Sequence, residues 1–266
     1  MADDSFSQVI FSFENNFDFN GNLIWIQTYW KLSFLSVAIY LLLIYFGQRW
    51  MKSRCAFELR TALVVWNLSL AVFSIAGSCR ILPQMLAYVH NDGFENTVCD
   101  GSRIKDNGIV SFWSWYFMLS KVVELGDTAF IVLRKQKLVF LHWYHHVTVL
   151  IYTWYSTQQI IPNARWFILM NIMVHSAMYS YYAFKAMKFK IPQSVAMTIT
   201  TAQMLQMVGG LYINWRAYSA ISSGRHCDTG MWNIQMSLLM YASYWLLFAY
   251  FFYNSYMKKP SRPKTA

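Results

Sequence analysis

Four histidines lie in apolar stretches of the sequence, where an ionisable group is costly to bury. His142, His145 and His146 follow one another at spacings i, i+3 and i+4, which places three imidazoles on one face of a helix. His175 lies in the next apolar stretch. A buried imidazole can act as a nucleophile or a general base, and neutral imidazole is also a common metal ligand. The spacing therefore predicts a reactive site built on these four side chains.

Other polar residues recur at helical spacing in the same and the neighbouring apolar stretches. Ionisable groups within spanning helices mark function by default, so we expect these residues to line the histidine site. The alternative for each set is structural: an ion-pair network for the first, packing for the tyrosines and interhelical hydrogen bonds for the glutamines. The residues are Lys121, Glu124 and Asp127, then Asn171, Tyr179 and Tyr182, then Thr200, Gln203 and Gln206.

Two chemistries fit the histidines. Membrane di-iron boxes use more histidines than the six of this chain, but a mononuclear metal site of His142, His146 and His175 stays open. The other chemistry is acyl transfer, which usually needs an activated nucleophile. None of the four cysteines falls among the polar residues, so a histidine would have to carry a covalent acyl group. On this interpretation we expect neither a metal nor a resident cofactor.

The elements that position these residues are expected to be membrane helices. Apolar residues make up 56% of the chain and charged residues 13%, whereas soluble domains contain about 25% charged residues. The net charge of +10 does not indicate nucleic-acid binding, because Lys and Arg occur in short clusters between apolar runs. We expect no signal peptide before the first apolar run, since the N-terminal stretch is acidic and aromatic. The composition predicts an all-α membrane protein.

Seven stretches are long and apolar enough to be predicted as transmembrane helices. We divide the chain into an N-terminal lead-in (1–32), a transmembrane catalytic domain (33–256) and a basic tail (257–266). The predicted spans are Ser33–Gln48, Thr61–Ile81, Val110–Leu133, Leu138–Ser156, Ala164–Lys185, Pro192–Trp215 and Met231–Tyr256.

Most of the 22 basic residues fall in loops on one side of these spans. The positive-inside rule makes that side cytosolic, which puts the N-terminus in the lumen and the C-terminus in the cytosol. At about 1.5 Å per residue, all the polar groups then lie in the cytosolic half of the bilayer and would line one cavity that opens to the cytosol. The basic residues are Arg49, Lys52, Arg54 and Arg60; Arg134, Lys135 and Lys137; Lys185, Lys188 and Lys190; and Lys258, Lys259, Arg262 and Lys264.

Cys99 and Cys227 fall in loops on the opposite, oxidising side, where a disulfide can persist. We predict a bridge between them, with two unpaired thiols as the alternative. At the C-terminus, Lys258-Lys259 and Arg262-x-Lys264 are a loose match to a dibasic retrieval signal of the endoplasmic reticulum. A basic tail on anionic lipid headgroups is the alternative interpretation.

Four motifs in sequence order make the chain resemble the fatty acid elongase family over nearly its whole length. The pair Trp143-Tyr144 inside the second motif is typical of one subgroup of that family. The motifs are Lys121-x-x-Glu124-x-x-Asp127-Thr128, His142-x-x-His145-His146, His175-x-x-Met178-Tyr179-x-Tyr181-Tyr182 and Thr200-x-x-Gln203-x-x-Gln206.

The resemblance implies an enzyme that condenses malonyl-CoA with a saturated or monounsaturated acyl-CoA of about sixteen carbons and releases carbon dioxide. It further implies seven helices in the endoplasmic reticulum membrane, with helices two to seven forming a barrel around a narrow acyl tunnel and the first helix outside. The implied partners are the two CoA substrates, the bilayer and the reductase, dehydratase and enoyl reductase of the elongation cycle. Nucleic acid is not among them, and a homo-oligomer is left open.

In such an enzyme we expect His145 to attack the thioester, with His142, His146 and His175 handling protons or stabilising the oxyanion. A one-step route in which His145 acts only as a base is the alternative. Rival functions are a histidine-box metal-dependent desaturase or hydroxylase, and a receptor or transporter. Cationic residues at the mouth of the cavity would hold the CoA phosphates, or bind lipid headgroups instead. These are Arg134, Lys135, Lys137, Lys185, Lys188 and Lys190.

Overall fold

The computed structural model describes residues 9–258 except 103, 105 and 106, and every regular element in that part of the chain is helical. The residues of the predicted retrieval signal after Lys258 lie outside the described part. The helices are α1 (Ser12–Asn15), α2 (Phe19–Tyr29), α3 (Leu32–Met51), α4 (Arg60–Cys99), α5 (Gly108–Val123), α6 (Gly126–Leu133), α7 (Phe140–Gln159), α8 (Ala164–Ala186), α9 (Gln193–Ser222) and α10 (Met231–Phe252), followed by a π-helical turn (Tyr253–Met257).

Three helices in the described part of the chain are long and apolar enough to cross a membrane, so the chain is a membrane protein. They are Leu32–Met51, Arg60–Cys99 and Met231–Met257. Helices α5 to α9 fall short of this standard by length or composition. Several of these helices carry the polar residues on which the predicted site depends, and those residues lower the hydropathy of the segments around them.

The seven predicted spans coincide with helices, and two of them differ from the prediction in a way that matters. The second extends far beyond Ile81, to Cys99, and its backbone leaves helical geometry at Gly93, where φ is 78° and favours glycine. The third was predicted as one helix, Val110–Leu133, which is wrong: the structure breaks it between Val123 and Gly126. This break lies inside the first polar motif.

Two ends of the helical bundle are defined by their connections. At the basic end, formed by connections 52–59, 134–139 and 187–192, Phe57 N donates to Leu133 O at 3.1 Å. At the disulfide end, formed by connections 160–163 and 223–230, Cys99 is joined to Cys227, the bridge that the sequence predicted. Nearby, Arg165 Nη2 donates to the carbonyl oxygens of residues 97 and 100.

The core lies between α8 and its neighbours. One cluster joins α4, α5 and α8 through Met85, Phe117 and Ile172, and a second joins α8, α9 and α10 around Phe167 and Tyr241. Helix α3 packs on α6 and α7, while most of its surface is exposed. The site therefore has a well-packed scaffold on the α8 side.

Candidate active site

A cavity lies among α4 to α10 and reaches the basic end. Its volume of about 670 Å³ is suitable for a small-molecule ligand. The structure brings all four predicted histidines to its wall. Lys121 does not line the cavity but is buried behind Glu124, with 1% of its surface exposed. The predicted polar residues on the wall are Glu124, Asp127, Asn171, Tyr179, Tyr182, Thr200, Gln203 and Gln206, together with His142, His145, His146 and His175.

The break between α5 and α6 brings a buried ion pair against His175. Lys121 Nζ donates to both carboxylate oxygens of Glu124, at 2.7 and 3.0 Å, and to Asn171 Oδ1 at 2.9 Å. These three bonds use all the protons of the ammonium group. Glu124 also accepts from Ser120 Oγ at 3.0 Å. The lysine thus neutralises the carboxylate and fixes the orientation of the Asn171 amide at once.

The orientation of Asn171 assigns the tautomer of His175. Because Asn171 Oδ1 accepts from Lys121, its Nδ2 is the atom that faces His175 Nε2, at 3.2 Å. An amide nitrogen can only donate, so Nε2 accepts and the ring proton lies on Nδ1. Nδ1 is 3.8 Å from Glu124 Oε1. His175 is therefore held at Nε2, whose lone pair is engaged, while its Nδ1 faces the carboxylate of Glu124.

Asp127, at the start of α6, is fixed by two donors from other helices. Trp66 Nε1 donates to Oδ1 at 2.6 Å and Tyr179 OH donates to Oδ2 at 2.9 Å. Gly126 allows the indole to approach this closely, because a Cβ there would lie 2.6 Å from the Trp66 ring. Tyr179 is 2% exposed, and its hydroxyl is engaged by Asp127.

His142 and His146 lie one turn apart on α7, with ring centroids 4.5 Å apart and ring planes tilted by 59°. Thr128 Oγ1 lies 2.9 Å from His142 Nε2 and 2.7 Å from the hydroxyl of Tyr40. The Nδ1 of His146 is buried and has no hydrogen-bond partner among the described residues. His142 is thus tied to α6 and α3, whereas His146 lies behind it with 5% of its surface exposed.

His145 differs from the other histidines in being both open to the cavity and unbound. Its imidazole is partly exposed, and within the described part of the chain no side chain forms a hydrogen bond to it. The ring packs 5.0 Å from that of Tyr244, whose hydroxyl lies 2.6 Å from Thr148 Oγ1 and 3.3 Å from the His145 carbonyl oxygen. The backbone is therefore held while the ring nitrogens remain available to a ligand.

The predicted CoA-binding cations divide into two groups. Arg134 and Lys185 line the cavity at the basic end. Lys135 instead donates to the carbonyl oxygen of Arg54 at 2.6 Å and ties two connections together. The others are exposed outside the cavity lining; they are Lys137, Lys188 and Lys190.

Sequence reasoning missed three aromatic residues that contribute to this site. Tyr40 and Trp66 come from helices without a polar motif. The one signal for Tyr40 is its helical spacing from Ser33 and Val37, with which it forms a buried stripe on the largely exposed α3. Tyr256, in the π-helical turn, lines the cavity with its hydroxyl 3.2 Å from Thr200 Oγ1. π-Helical turns occur often at functional sites.

The histidines do not converge on a common point as metal ligands do. Over residues 9–258, apart from the three left out, no three His, Cys, Asp or Glu side chains form a set that could hold a metal ion. In the mononuclear alternative, a metal would have to bind Nδ1 of His142 and His175 or displace the hydrogen bonds at their Nε2 atoms.

Comparison with known proteins gives an independent result. Residues 25–264 match the model of the family described as ELO: GNS1/SUR4. Very long chain fatty acid elongase 6 of Drosophila melanogaster is 46% identical over 250 residues, which cover 93% of this chain and 79% of the relative. The protein of that name from Gallus gallus is 45% identical over 96% of this chain and 95% of its own length. Human very long chain fatty acid elongase 3 is 44% identical over 90% of this chain and 88% of its own length.

Proposed function

Because the chain belongs to the GNS1/SUR4 (ELO) family, we propose that it is a fatty acid elongation enzyme that acts as a 3-oxoacyl-CoA synthase. It condenses malonyl-CoA with a long-chain acyl-CoA of about sixteen carbons, saturated or monounsaturated, and releases carbon dioxide. Its relatives bear the names of very long chain fatty acid elongases 6 and 3, which supports fatty acid elongation as the process. The subgroup to which the sequence pointed is the one those relatives represent.

The observation that carries the reaction type is the unbound imidazole of His145 in the cavity. A nucleophile needs a free lone pair facing the substrate, and His175 and His142 have each engaged one nitrogen in a hydrogen bond. In the first half-reaction, a nitrogen of His145 attacks the thioester carbon and the C–S bond breaks. The proton on the other ring nitrogen passes to the thiolate, which gives an acyl-imidazole and free CoA.

In the second half-reaction, malonyl-CoA loses carbon dioxide and the electron pair of the broken C–C bond forms an enolate. The enolate carbon attacks the acyl carbon, the C–N bond to His145 breaks, and 3-oxoacyl-CoA is formed. The released imidazole takes one proton from solvent, so each turnover consumes one proton. Release of carbon dioxide drives the step, and neither a metal nor a cofactor is required.

The charge and polarity of the cavity wall support one direction of substrate entry. Arg134 and Lys185, at the basic end, are placed to bind the CoA phosphates. The acyl tail extends away from them toward Met207, in the middle of α9. Each buried methylene contributes about 0.8 kcal/mol to binding. Tyr241 packs in the same apolar cluster as Met207, and we propose that its buried ring limits the length of the tail.

Tyr241 occupies a notch made by Gly210 on α9. A Cβ at position 210 would collide with the Tyr241 ring, so only glycine lets the ring lie against the α9 backbone. The ring also packs 5.1 Å from that of Phe167. This wall supports the proposal that Tyr241 sets the preferred chain length.

The membrane arrangement belongs to the same proposal. Seven transmembrane segments are formed by α3, α4, α5 with α6, α7, α8, α9 and α10, and those after α3 form a barrel around the acyl tunnel. The basic end faces the cytosol, the N-terminus is lumenal, and the membrane is that of the endoplasmic reticulum. The product passes to the reductase, dehydratase and enoyl reductase that complete the cycle.

The test is a condensation assay with purified protein, labelled malonyl-CoA and acyl-CoAs of graded length. Wild type is expected to incorporate label with release of carbon dioxide, and His145→Ala to lose at least about a thousandfold in rate. His226→Ala is the matched control, because that side chain is 88% exposed at the disulfide end and should not affect turnover. Label that enters no lipid with any acyl-CoA would exclude the proposed reaction.

Mass spectrometry separates the covalent route from the one-step route. Wild type incubated with acyl-CoA alone should carry one acyl group on the peptide that contains His145, with release of one CoA. Acyl-CoA turnover without any histidine adduct would favour His145 as a base only.

A further inference from the structure

We infer that Tyr40, on α3, is a positioning residue for the histidine site. Through Thr128 it holds His142 with the ring proton on Nδ1, so that His142 offers a hydrogen-bond donor to the substrate instead of a base. This inference rests on the proposed function for its role in catalysis, but the tautomer itself follows from the structure. The family resemblance places the first helix outside the barrel, and nothing in the four motifs assigns it a part in the site.

The contact between α3 and the site is made at one point. Tyr40 is 4% exposed, although most of the surface of α3 is open, and its hydroxyl lies 2.7 Å from Thr128 Oγ1. Thr128 is 2% exposed, and the same oxygen lies 2.9 Å from Nε2 of His142. Tyr40, Thr128 and His142 thus form a buried chain that runs from the outer helix to the cavity wall.

Counting hydrogens along this chain fixes its direction. The Tyr40 hydroxyl has Thr128 as its hydrogen-bond partner, and each hydroxyl carries a single proton. If Tyr40 donates to Thr128 and Thr128 donates to Nε2, both protons are used. If Nε2 carried a proton instead, it would donate to Thr128, and then one of the two hydroxyl protons would be left without an acceptor. An unmade buried hydrogen bond is unfavourable, so Nε2 accepts and Nδ1 carries the proton.

The assignment gives His142 and His145 different chemistry on one helix face. They are three residues apart on α7, and both line the cavity. With Nε2 engaged by Thr128, Nδ1–H is the group that His142 has left to offer a ligand. A donor at that position is suited to the thioester carbonyl oxygen, which becomes negative when His145 attacks. Tyr40 therefore acts through Thr128 on the stabilisation of that oxygen.

The first experiment compares Tyr40→Phe with Tyr45→Phe. Tyr45 is on the same helix and is 59% exposed, so it is a control for the same chemical change. Tyr40→Phe is expected to lower kcat about tenfold or more while the KM values for both CoA substrates stay near those of wild type, because a transition-state interaction is weakened. Tyr45→Phe should match wild type. An unchanged kcat in Tyr40→Phe, or an equal fall in both variants, would overturn the catalytic part of the inference.

The second experiment reads the tautomer directly and does not depend on turnover. Solid-state NMR of ¹⁵N-histidine-labelled protein in lipid should show His142 with a protonated Nδ1, its signals identified by their loss in His142→Gln. In Tyr40→Phe, Thr128 no longer has a fixed donor, so a population with protonated Nε2 should appear. A His142 that is protonated on Nε2 in wild type, or that stays entirely in the Nδ1–H form in Tyr40→Phe, contradicts the inference.

Failure of the proposed function looks different from failure of this inference. An inactive wild-type protein with the expected His142 tautomer would refute the condensation reaction and leave the positioning role of Tyr40 in place. An active wild type with an unaffected Tyr40→Phe variant would do the reverse.

Discussion

Two buried ion pairs lie in different regions of this protein and serve different ends. The site pair, Lys121–Glu124, lies where α5 breaks, and Glu124 lines the cavity. The anchor pair, Arg80–Glu14, joins α4 to the short helix α1 and lines no part of that cavity. The two carboxylates are buried to the same degree, with 3% of Glu124 and 0% of Glu14 exposed. Burial of charge alone therefore does not separate a functional pair from a structural one.

The difference lies in how each cation distributes its hydrogen bonds. Arg80 directs Nε and Nη2 at the two oxygens of Glu14, at 2.9 and 2.5 Å. Trp113 Nε1 and the backbone N–H of Phe11 donate to the same carboxylate. That carboxylate is saturated and holds the N-terminal segment in place. A guanidinium fork suits this role because it binds a carboxylate with two donors at once.

Lys121 distributes its three protons differently from Arg80. Two satisfy Glu124 and the third fixes Asn171, which in turn orients His175. Through Asn171, the ion pair thus fixes the orientation of His175 on the cavity wall. A buried ion pair contributes to a reactive site when one of its members also forms a hydrogen bond that orients a reactive group.

The largest effect is expected from Lys121→Met. The substitution leaves Glu124 buried without a cation, which costs about 3–5 kcal/mol, and it frees Asn171 and His175. We expect a lower thermal unfolding temperature and loss of condensation activity in the folded fraction. The two are measured by thermal unfolding in detergent and by the labelled malonyl-CoA assay.

A double variant separates charge burial from function. Replacing both members with apolar residues removes the unpaired charge, so Lys121→Met combined with Glu124→Leu should regain much of the stability but none of the activity. At the anchor pair, Arg80→Met combined with Glu14→Leu should regain stability and keep full turnover. Loss of turnover in the anchor double variant would show that the two pairs do not differ as described.

The next largest effect is expected from Asn171→Asp. A carboxylate at this position still accepts from Lys121 but presents an oxygen to His175, so Nε2 must carry the proton and the tautomer is reversed. We expect kcat to fall about a hundredfold or more, together with a lower thermal unfolding temperature, because two buried carboxylates would then share the single cation Lys121. A kcat close to that of wild type would mean that the His175 tautomer does not matter to the reaction.

A smaller effect is expected at the apolar wall, where Tyr241→Leu tests whether packing there sustains the fold or shapes the reaction. The smaller side chain leaves the notch at Gly210 unfilled, and we expect this space to extend the cavity beyond Met207. We expect the product spectrum to shift toward acyl chains that are longer by a few carbons. Tyr250→Leu, on the same helix and 71% exposed, is the control and should leave the spectrum unchanged. Equal spectra in wild type and Tyr241→Leu would place the limit on chain length elsewhere.

The smallest effect concerns the pH dependence of the anchor pair. Burial by itself would raise the pKa of Glu14, but the hydrogen bonds from Arg80 and Trp113 outweigh it and hold the pKa below its ordinary value. A carboxyl group whose pKa is lowered in the folded state stabilises the fold at pH values above its ordinary pKa, which is about 4.3 for glutamate. This contribution is lost as the pH falls further, through the folded pKa.

Acidification below pH 4 or so should therefore lower the thermal unfolding temperature of wild type more than that of Glu14→Gln, which has no such proton to gain. Parallel pH curves for the two proteins would show that the pair contributes no acid-sensitive stability. The N-terminal segment should become accessible to protease over the same pH range in wild type.

The sequence by itself determined the helical class and most helix positions, because apolar runs and their polar interruptions are local features. It also predicted Cys99–Cys227, the histidine face of α7 and the polar groups that the cavity brings together. Each of these predictions depended on residues a few positions apart, or on the sorting of loops to two sides. Helical periodicity carries such information without any knowledge of neighbouring helices.

Only the tertiary structure decided which histidine is free. His142, His145 and His146 look alike in the sequence. His142 is engaged by Thr128 of α6, which contacts Tyr40 of α3, and His146 is buried, so only His145 of the three is both open to the cavity and unbound. The break between α5 and α6 was not predicted either. Glu124 and Gly126 interrupt the apolar run only briefly, and such an interruption is compatible with one continuous helix. The physical reason is the same in each case: a hydrogen bond between helices depends on their relative placement, which no local pattern encodes.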